Sequence, residues 1–111
     1  MQFFLNPAER RASGSSCFFE FQPGRFCGKH WLETSVCLHA DRFDELDLLK
    51  LFSGVLKEFS YCGPTEVRQD QWACLVKNAG ERESWQTVIA ELTPWAEACF
   101  RTHGCFTICG I

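Results

Sequence analysis

Several signatures that would assign this chain of 111 residues to a functional class are missing from it. There is no Cys-x-x-Cys, which excludes the thioredoxin-type redox motif and the common zinc knuckle. There is no Gly-x-Ser-x-Gly, phosphate-binding loop or His-Glu-x-x-His motif. No apolar run approaches the roughly 18 residues of a membrane span. We therefore predict a protein that is not an enzyme, does not enter a membrane, and uses no cofactor or metal ion.

A strong charge of either sign is also missing. The 11 Lys and Arg residues and the 14 Asp and Glu residues leave a net charge of −3. The basic residues are scattered, apart from Arg10 and Arg11, and form no stripe with exposed aromatic residues, which argues against nucleic-acid binding. The apolar stretch near the N-terminus, Phe3–Leu5, is far shorter than the roughly 7–15 residues of a secretory signal. We therefore expect a cytoplasmic protein, and its mildly acidic surface suits a basic protein partner.

Cysteine, in contrast, is abundant, with eight residues: Cys17, Cys27, Cys37, Cys62, Cys74, Cys99, Cys105 and Cys109. An even number in a short chain suggests disulfide staples, but staples need an oxidising compartment. Free Cys is among the most buried residue types, so we interpret these residues as reduced thiols, mostly in the core. The alternative is a zinc or thiol site in the densest cluster, which consists of Cys99, His103, Cys105 and Cys109.

The hydrophobic pattern predicts an α+β fold in a single domain, residues 1–111, with a small, mostly antiparallel sheet packed on about three helices. Strands are predicted at 17–22 and 29–39, paired as an N-terminal hairpin, and at 105–109, where the last strand joins the hairpin. If that last strand lies at an edge, it offers a route to a homodimer. We therefore expect a monomer or a weak homodimer.

Three helices are predicted between the second and third strands. The first begins at its N-cap Asp41 and ends near Ser60, the second lies within 65–79, and Ser84 caps the third. Pro94 lies inside the third helix and is expected to kink or restart it. Residues 6–16 are polar and small and are predicted to form a loop.

Two groups of residues are candidates for binding a partner. Trp31 shares a predicted strand face with Glu33, and an exposed aromatic residue beside a carboxylate is typical of an interface anchor. The acidic run Asp41, Asp44, Glu45 and Asp47 could dock a basic protein, although acids in a first helical turn are also simply stabilised by the helix dipole.

The most distinctive motif lies at residues 59–67. Its turn residues Gly63 and Pro64 predict a tight, stiff connection. Tyr61 offers an apolar ring with a hydroxyl group, and Glu66 follows the turn, so a rigid loop with these two residues would make a suitable binding edge.

This motif reads aromatic-x-Tyr-x-Gly-Pro-Thr-Glu-Val, from Phe59 to Val67, and Trp72 follows it. Together with the preceding strand and acidic helix it resembles small bacterial immunity proteins of polymorphic and contact-dependent growth inhibition toxin systems, over roughly residues 31–76. The resemblance implies a cytosolic, non-catalytic protein that binds one cognate toxin domain and blocks its active site or the access of substrate to it. It assigns no catalytic residues, and it carries over no toxin-binding positions.

The leading hypothesis is therefore an immunity protein, with Trp31, Glu33, Asp44, Glu45, Tyr61 and Glu66 as candidate partner-binding residues. Two alternatives stay open. One is the thiol- or zinc-binding protein that uses the C-terminal Cys and His cluster. The other is a small ligand-binding domain or enzyme with its site on the strand face that carries Trp31, Glu33 and His39.

Overall fold

The computed structural model describes residues 2–111 and contains five helices and four strands. The helices are α1 Pro7–Ser13, α2 Ala40–Glu45, α3 Leu48–Val55, α4 Gln69–Ala79 and α5 Glu83–His103. The strands are β1 Phe18–Pro23, β2 Val36–His39, β3 Pro64–Arg68 and β4 Cys105–Cys109. The predicted α+β fold class is confirmed.

The four strands form one antiparallel sheet in the order β2-β1-β4-β3. The predicted N-terminal hairpin is confirmed, since Phe19 pairs with Leu38 and Phe21 with Val36. The last strand also joins the hairpin as predicted, because Phe21 pairs with Ile108. However, β4 lies between β1 and β3 rather than at an edge. A homodimer through β4 is therefore excluded as a route, because the neighbouring strands already use both of its hydrogen-bonding sides.

The period of two along each strand places alternate side chains on opposite faces of the sheet. One face points toward the helices and supplies Phe19, Phe21, Val67, Phe106 and Ile108 to the continuous hydrophobic core. The helices contribute Phe43, Phe52, Leu75, Trp85 and Leu92, among others, to the same core. Trp72 and Trp85 are buried, as their apolar stripes predict.

The other face of the sheet is also buried, because the long connection between β1 and β2 folds over it. Glu20, Gln22, Cys37 and Cys109 have 0–2% of their surface exposed. The backbone N–H of Leu32 and the hydroxyl of Ser35, both in the connection, donate hydrogen bonds to Glu20. This covered face consists largely of polar and thiol side chains, in contrast to the aromatic core on the opposite side.

The predicted strand 29–39 is too long. Only Val36–His39 pairs with β1, and the preceding residues form the covering connection. Gly28 and Trp31 have φ values of 87° and 62°. These left-handed conformations end any extended strand, and they are unusual for a bulky residue such as Trp. The alternation that suggested a strand therefore reflects a loop with one side against the sheet.

The predicted helix from Asp41 to Ser60 is two helices, α2 and α3, and the second ends at Val55. The chain changes direction at Asp47, which has a left-handed φ of 54°. The N-cap of α2 is His39 rather than Asp41, since the His39 Nδ1 accepts a hydrogen bond from the Asp41 N–H at 3.0 Å. Both helices bury their apolar side chains against the same core, so the helical spacing of apolar residues continues from α2 into α3 despite the break.

Two further elements were not predicted. The stretch 6–16, predicted as a loop, contains α1, whose start is fixed by a capping box between Asn6 and Glu9 and by Pro7 in the first turn. The predicted second helix within 65–79 is α4, but the first residues of this stretch belong to the unpredicted strand β3, and the chain becomes helical only at Gln69. In β3, Thr65 and Val67 are buried while Pro64, Glu66 and Arg68 are exposed. This alternation is the strand signal.

The third predicted helix is confirmed as α5, which begins at Glu83, one residue before the predicted cap Ser84. It continues through Pro94 without restarting and ends at His103, and the following Gly104 has a φ of 77°, the left-handed conformation expected after a helix. Within residues 2–111, no helix has both the length and the apolar character needed to cross a membrane.

Candidate functional site

One group of predicted binding residues lies around α2. Asp41, Asp44, Glu45 and Asp47 are all exposed, and they lie within seven consecutive residues that contain one positive charge, Arg42. Tyr61 joins them from the loop before β3, because its hydroxyl donates to the Asp44 oxygens Oδ1 and Oδ2 at 3.0 and 3.2 Å. We refer to Asp41, Asp44, Glu45, Asp47 and Tyr61 as the acidic surface.

Tyr61 is fixed at this surface by contacts on its ring and its backbone. The ring packs edge-on against Phe19 and Phe43, with centroid distances of 5.0 and 5.9 Å. The Tyr61 carbonyl accepts a hydrogen bond of 2.9 Å from the N–H of Ile111. A Cβ atom added to Gly110 would collide with the Tyr61 backbone, so a glycine is required for this close approach. The hydroxyl group therefore reaches the acidic surface from a well-supported position.

The environment raises the pKa of the Tyr61 phenol. Desolvation is the largest cause, followed by the hydrogen bond to Asp44 and by the negative charges of Asp44 and Asp41. Ionisation of the phenol would place a further negative charge beside these carboxylates, so the neutral, hydrogen-bond-donating form is favoured.

Neighbouring side chains contact Asp47 and Asp41 of the acidic surface, whereas Glu45 has no such contact. Arg82 pairs with Asp47, with 3.1 Å between Nη1 and Oδ2, while its guanidinium lies 4.2 Å from the Trp85 ring centroid. His39 lies 3.7 Å from Asp41. Within residues 2–111, the Glu45 side chain forms neither a hydrogen bond nor an ion pair, and it is exposed.

Trp31 and Glu33 lie at a second location, beside α1. Trp31 is 39% exposed, and the Arg10 guanidinium of α1 lies 4.5 Å from its ring centroid. The Arg11 Nη1 lies 3.1 Å from the Glu33 Oε1. The only pair of adjacent arginines in the chain therefore covers both residues. His39 does not share a face with them, because residues 29–35 are not a strand and His39 caps α2.

Glu66 lies at a third location, on the exposed edge strand β3, where its Oε2 is 3.5 Å from the Arg25 Nε. It borders an open cleft of about 520 Å³ between β3 and the end of α3. Within residues 2–111, no hydrogen bond or ion pair connects this location, the acidic surface and the Trp31 region. The structure thus brings Asp44, Glu45 and Tyr61 together and leaves the other three predicted residues apart.

The predicted C-terminal cluster of Cys99, His103, Cys105 and Cys109 does not assemble. Among residues 2–111, the only group of three or more close metal-ligating side chains consists of Glu20, His30 and Cys109. Cys99 is buried on α5, and His103 packs against Gly24. The four residues are close in sequence, but the turn at Gly104 sends the helix and the strand in different directions.

All eight cysteines are unpaired, as expected, but only half of them are buried. Cys37, Cys99, Cys105 and Cys109 are buried, whereas Cys17, Cys27, Cys62 and Cys74 are exposed. Burial raises the pKa of the Cys37 and Cys109 thiols to about 12, and the nearby charge of Glu20 adds to this increase. These two thiols lie on the covered polar face of the sheet.

Glu20 is the most unusual side chain of that face, and sequence reasoning did not single it out. It is 1% exposed, and its carboxylate accepts hydrogen bonds from the Leu32 N–H at 2.8 Å, the Ser35 hydroxyl at 2.6 Å and the Gln22 amide at 2.9 Å. Desolvation, the largest influence, raises the pKa of Glu20, but the hydrogen bonds together outweigh it and the pKa is lowered. A buried and ionised carboxylate results. A Glu between the phenylalanines Phe19 and Phe21 of β1 was the available signal.

Comparisons with known proteins assign neither a family nor a function to these sites. No protein-family model matches the sequence, and no curated protein or solved structure is significantly similar to it.

Proposed function

We propose that this protein is a non-catalytic, cytoplasmic protein-binding domain that acts as an immunity protein against a cognate bacterial toxin domain. In this proposal the acidic surface contacts a basic region of the toxin, with Asp44, Glu45 and Tyr61 at its centre. The observation that supports it best is the Tyr61–Asp44 pair, a well-supported aromatic side chain surrounded by exposed carboxylates.

The physical argument for binding rests on rigidity and charge. Ordering flexible side chains costs about 0.5–1.5 kcal/mol each when an interface forms. Tyr61 and Asp47 already have intramolecular contacts that hold them in place, so part of this cost is met before the partner arrives. A partly exposed Tyr is also among the residue types that contribute most to binding free energy. Carboxylates around it would steer a basic partner and speed its association.

The decisive experiment is growth rescue in a bacterial host. The proposal expects a neighbouring gene to encode a large protein with a variable C-terminal toxin domain. The host expresses that domain with or without this protein, and the two proteins are tested for co-purification. Rescue specific to this pair, together with a purified complex, is the expected result. Toxicity that is unchanged by this protein, or rescue without a complex, would contradict the proposal.

The binding surface is tested with matched charge variants. Asp44→Asn/Glu45→Gln removes two negative charges from the acidic surface, and we expect it to weaken binding by at least about tenfold, or about 1.4 kcal/mol. Glu81→Gln/Glu97→Gln removes the same charge from exposed positions whose side chains form no hydrogen bond or ion pair within residues 2–111, and we expect little change. The measurement is titration calorimetry at two salt concentrations. Equal losses in both double variants would show that only net charge matters and would rule out this surface.

A further inference from the structure

The covered face of the sheet contains a carboxylate that has no Lys or Arg partner. Glu20 is 1% exposed, and within residues 2–111 its side chain forms no ion pair with any Lys or Arg. The nearest group that can carry a positive charge is the His30 imidazole, whose Nδ1 lies 3.7 Å from the Glu20 Oε1. Buried charges in proteins are normally paired or coordinate a metal ion.

The hydrogen bonds of Glu20 leave room for one more ligand at Oε1. A carboxylate oxygen has two lone pairs. The Oε2 atom uses both, because it accepts hydrogen bonds from the Leu32 N–H and the Ser35 hydroxyl. The Oε1 atom uses one, because it accepts only from the Gln22 amide. Its second lone pair is available, and the nearest side chain with a free metal-ligating atom is His30.

Three metal-ligating atoms converge at this point. The Glu20 carboxylate, a His30 ring nitrogen and the Cys109 sulfur all lie within 4.8 Å of one another. They come from β1, from the covering connection and from β4, so only the folded chain brings them together. A tetrahedral zinc ion, about 2.0–2.3 Å from each ligand, places its ligand atoms about 3.5 Å apart. Closing the group therefore requires a movement of about 1 Å, which half-exposed His30 can make.

The covering connection carries a further thiol that could complete the set. Cys27 precedes His30 by three residues in this connection, and its side chain is exposed. Cys-x-x-His is a spacing that lets one short loop supply two ligands to one ion.

We propose that Glu20, His30 and Cys109, with Cys27 as the fourth ligand, form a binding site for one Zn²⁺ ion. Two sulfurs, one imidazole nitrogen and one carboxylate oxygen make a donor set that suits zinc and does not suit Mg²⁺ or Ca²⁺, which take oxygen ligands. All four tetrahedral positions belong to the protein, so the ion has a structural role. It fastens the connection that carries Trp31 to the sheet.

Gln22 supports the site from behind. Its amide nitrogen donates to the Glu20 Oε1 at 2.9 Å and to the Lys29 carbonyl at 2.7 Å, so one side chain orients the carboxylate and fixes the loop that contains Cys27 and His30. Hydrogen bonds of this kind to metal ligands hold them in the binding geometry. The side-chain oxygen Oε1 of Gln22 is itself buried and has no hydrogen-bond partner within residues 2–111.

The test is zinc binding by the full chain under reducing conditions, in a buffer without chelating thiols. Metal-free protein is titrated with Zn²⁺ in competition with a chromophoric chelator, and separately with Co²⁺, which absorbs strongly through sulfur-to-metal charge transfer only when thiolates coordinate it. We expect one equivalent of Zn²⁺, a tetrahedral cobalt spectrum with thiolate bands, and a higher melting temperature with zinc because the ion binds only the folded state. Binding of less than a tenth of an equivalent would overturn the proposal.

Variants identify the ligands. Cys27→Ser and His30→Gln change exposed or half-exposed residues, so both should fold, and we expect each to weaken zinc binding by at least about tenfold. Cys74→Ser removes an exposed thiol on α4 and serves as the matched control, with unchanged affinity expected. An equal loss in the control, or unchanged affinity in both Cys27→Ser and His30→Gln, would show that zinc binds elsewhere. A Cys27–Cys109 disulfide in place of zinc binding, detected by mass spectrometry before reduction, would likewise refute the site.

Discussion

Tyr61 is the only tyrosine in the chain, so its titration can be followed without interference from another phenol. Its raised pKa has desolvation as the main cause and the Asp44 carboxylate as the second. The hydrogen bond between the two side chains therefore contributes to stability below the ordinary phenol pKa of about 10 and is lost as the pH rises through the raised value.

We predict that Asp44→Asn lowers the pKa of Tyr61 toward its ordinary value without reaching it, because the desolvation remains. Ultraviolet absorbance of the phenolate, followed against pH, measures the change. Glu81→Gln, at an exposed position whose charge is not among the causes of the raised Tyr61 pKa, serves as the control and should leave the titration curve in place. An unchanged curve in Asp44→Asn would mean that the carboxylate does not act on the hydroxyl group.

At the scale of elements, the longest helix, α5, fastens the N-terminal segment to the body of the protein. The Glu91 carboxylate accepts hydrogen bonds from the consecutive backbone N–H groups of Gln2, Phe3 and Phe4, at 2.9 Å from Phe3 and 2.8 Å from Phe4. Phe4 is buried and packs edge-on against Phe21, with 5.2 Å between the ring centroids. The hydrogen bonds from the N-terminal backbone to Glu91 join residues 87–89 positions apart, and no local pattern predicts them.

We predict that Glu91→Gln destabilises the protein by about 1–3 kcal/mol, since the new amide group places a donor where backbone donors already point. Chemical denaturation measures the free energy of unfolding. Glu97→Gln, on the same helix, makes no such contacts within residues 2–111 and should have an effect below about 0.5 kcal/mol. Similar effects of the two variants would show that Glu91 does not hold the N-terminal segment.

Which elements were predictable depended on how far apart in sequence their supporting contacts lie. The α1 helix is an exception, because it has a complete local signal in Asn6, Pro7 and Glu9 within a stretch whose small polar residues are equally typical of a loop. The β3 strand was missed for a different reason. It has only five residues and directly follows Gly63. Its extended conformation is stabilised by pairing with β4, about 40 residues later in the chain, so the local sequence carries only a weak strand signal.

At the scale of the whole molecule, the eight thiols divide by position in the fold. Exposed Cys17, Cys27, Cys62 and Cys74 lie on loops and on the outside of α4, whereas the other four lie on the inner side of α5 or within the sheet. Only the thiolate reacts with thiol reagents, and burial raises the pKa of Cys37 and Cys109 to about 12.

We predict that four thiols of the reduced, metal-free protein react rapidly with a maleimide at neutral pH, and that the other four react only on unfolding. Mass spectrometry after a short labelling pulse identifies the sites, with a sample in denaturant as the control for full reaction. Rapid labelling of Cys37 or Cys109 in the folded protein would contradict the described burial.

The sequence by itself determined the fold class, the hairpin, the long C-terminal helix and the core positions of Trp72 and Trp85. These features follow from hydrophobic periodicity, which acts over a few residues and needs no knowledge of distant partners. Only the tertiary structure decided that Tyr61 meets Asp44, that Trp31 and Glu33 lie under two arginines, and that Glu20, His30 and Cys109 converge. Such sites depend on the order of strands in the sheet and on the path of a long loop, because they join residues that are well separated in sequence, whose proximity no local pattern records.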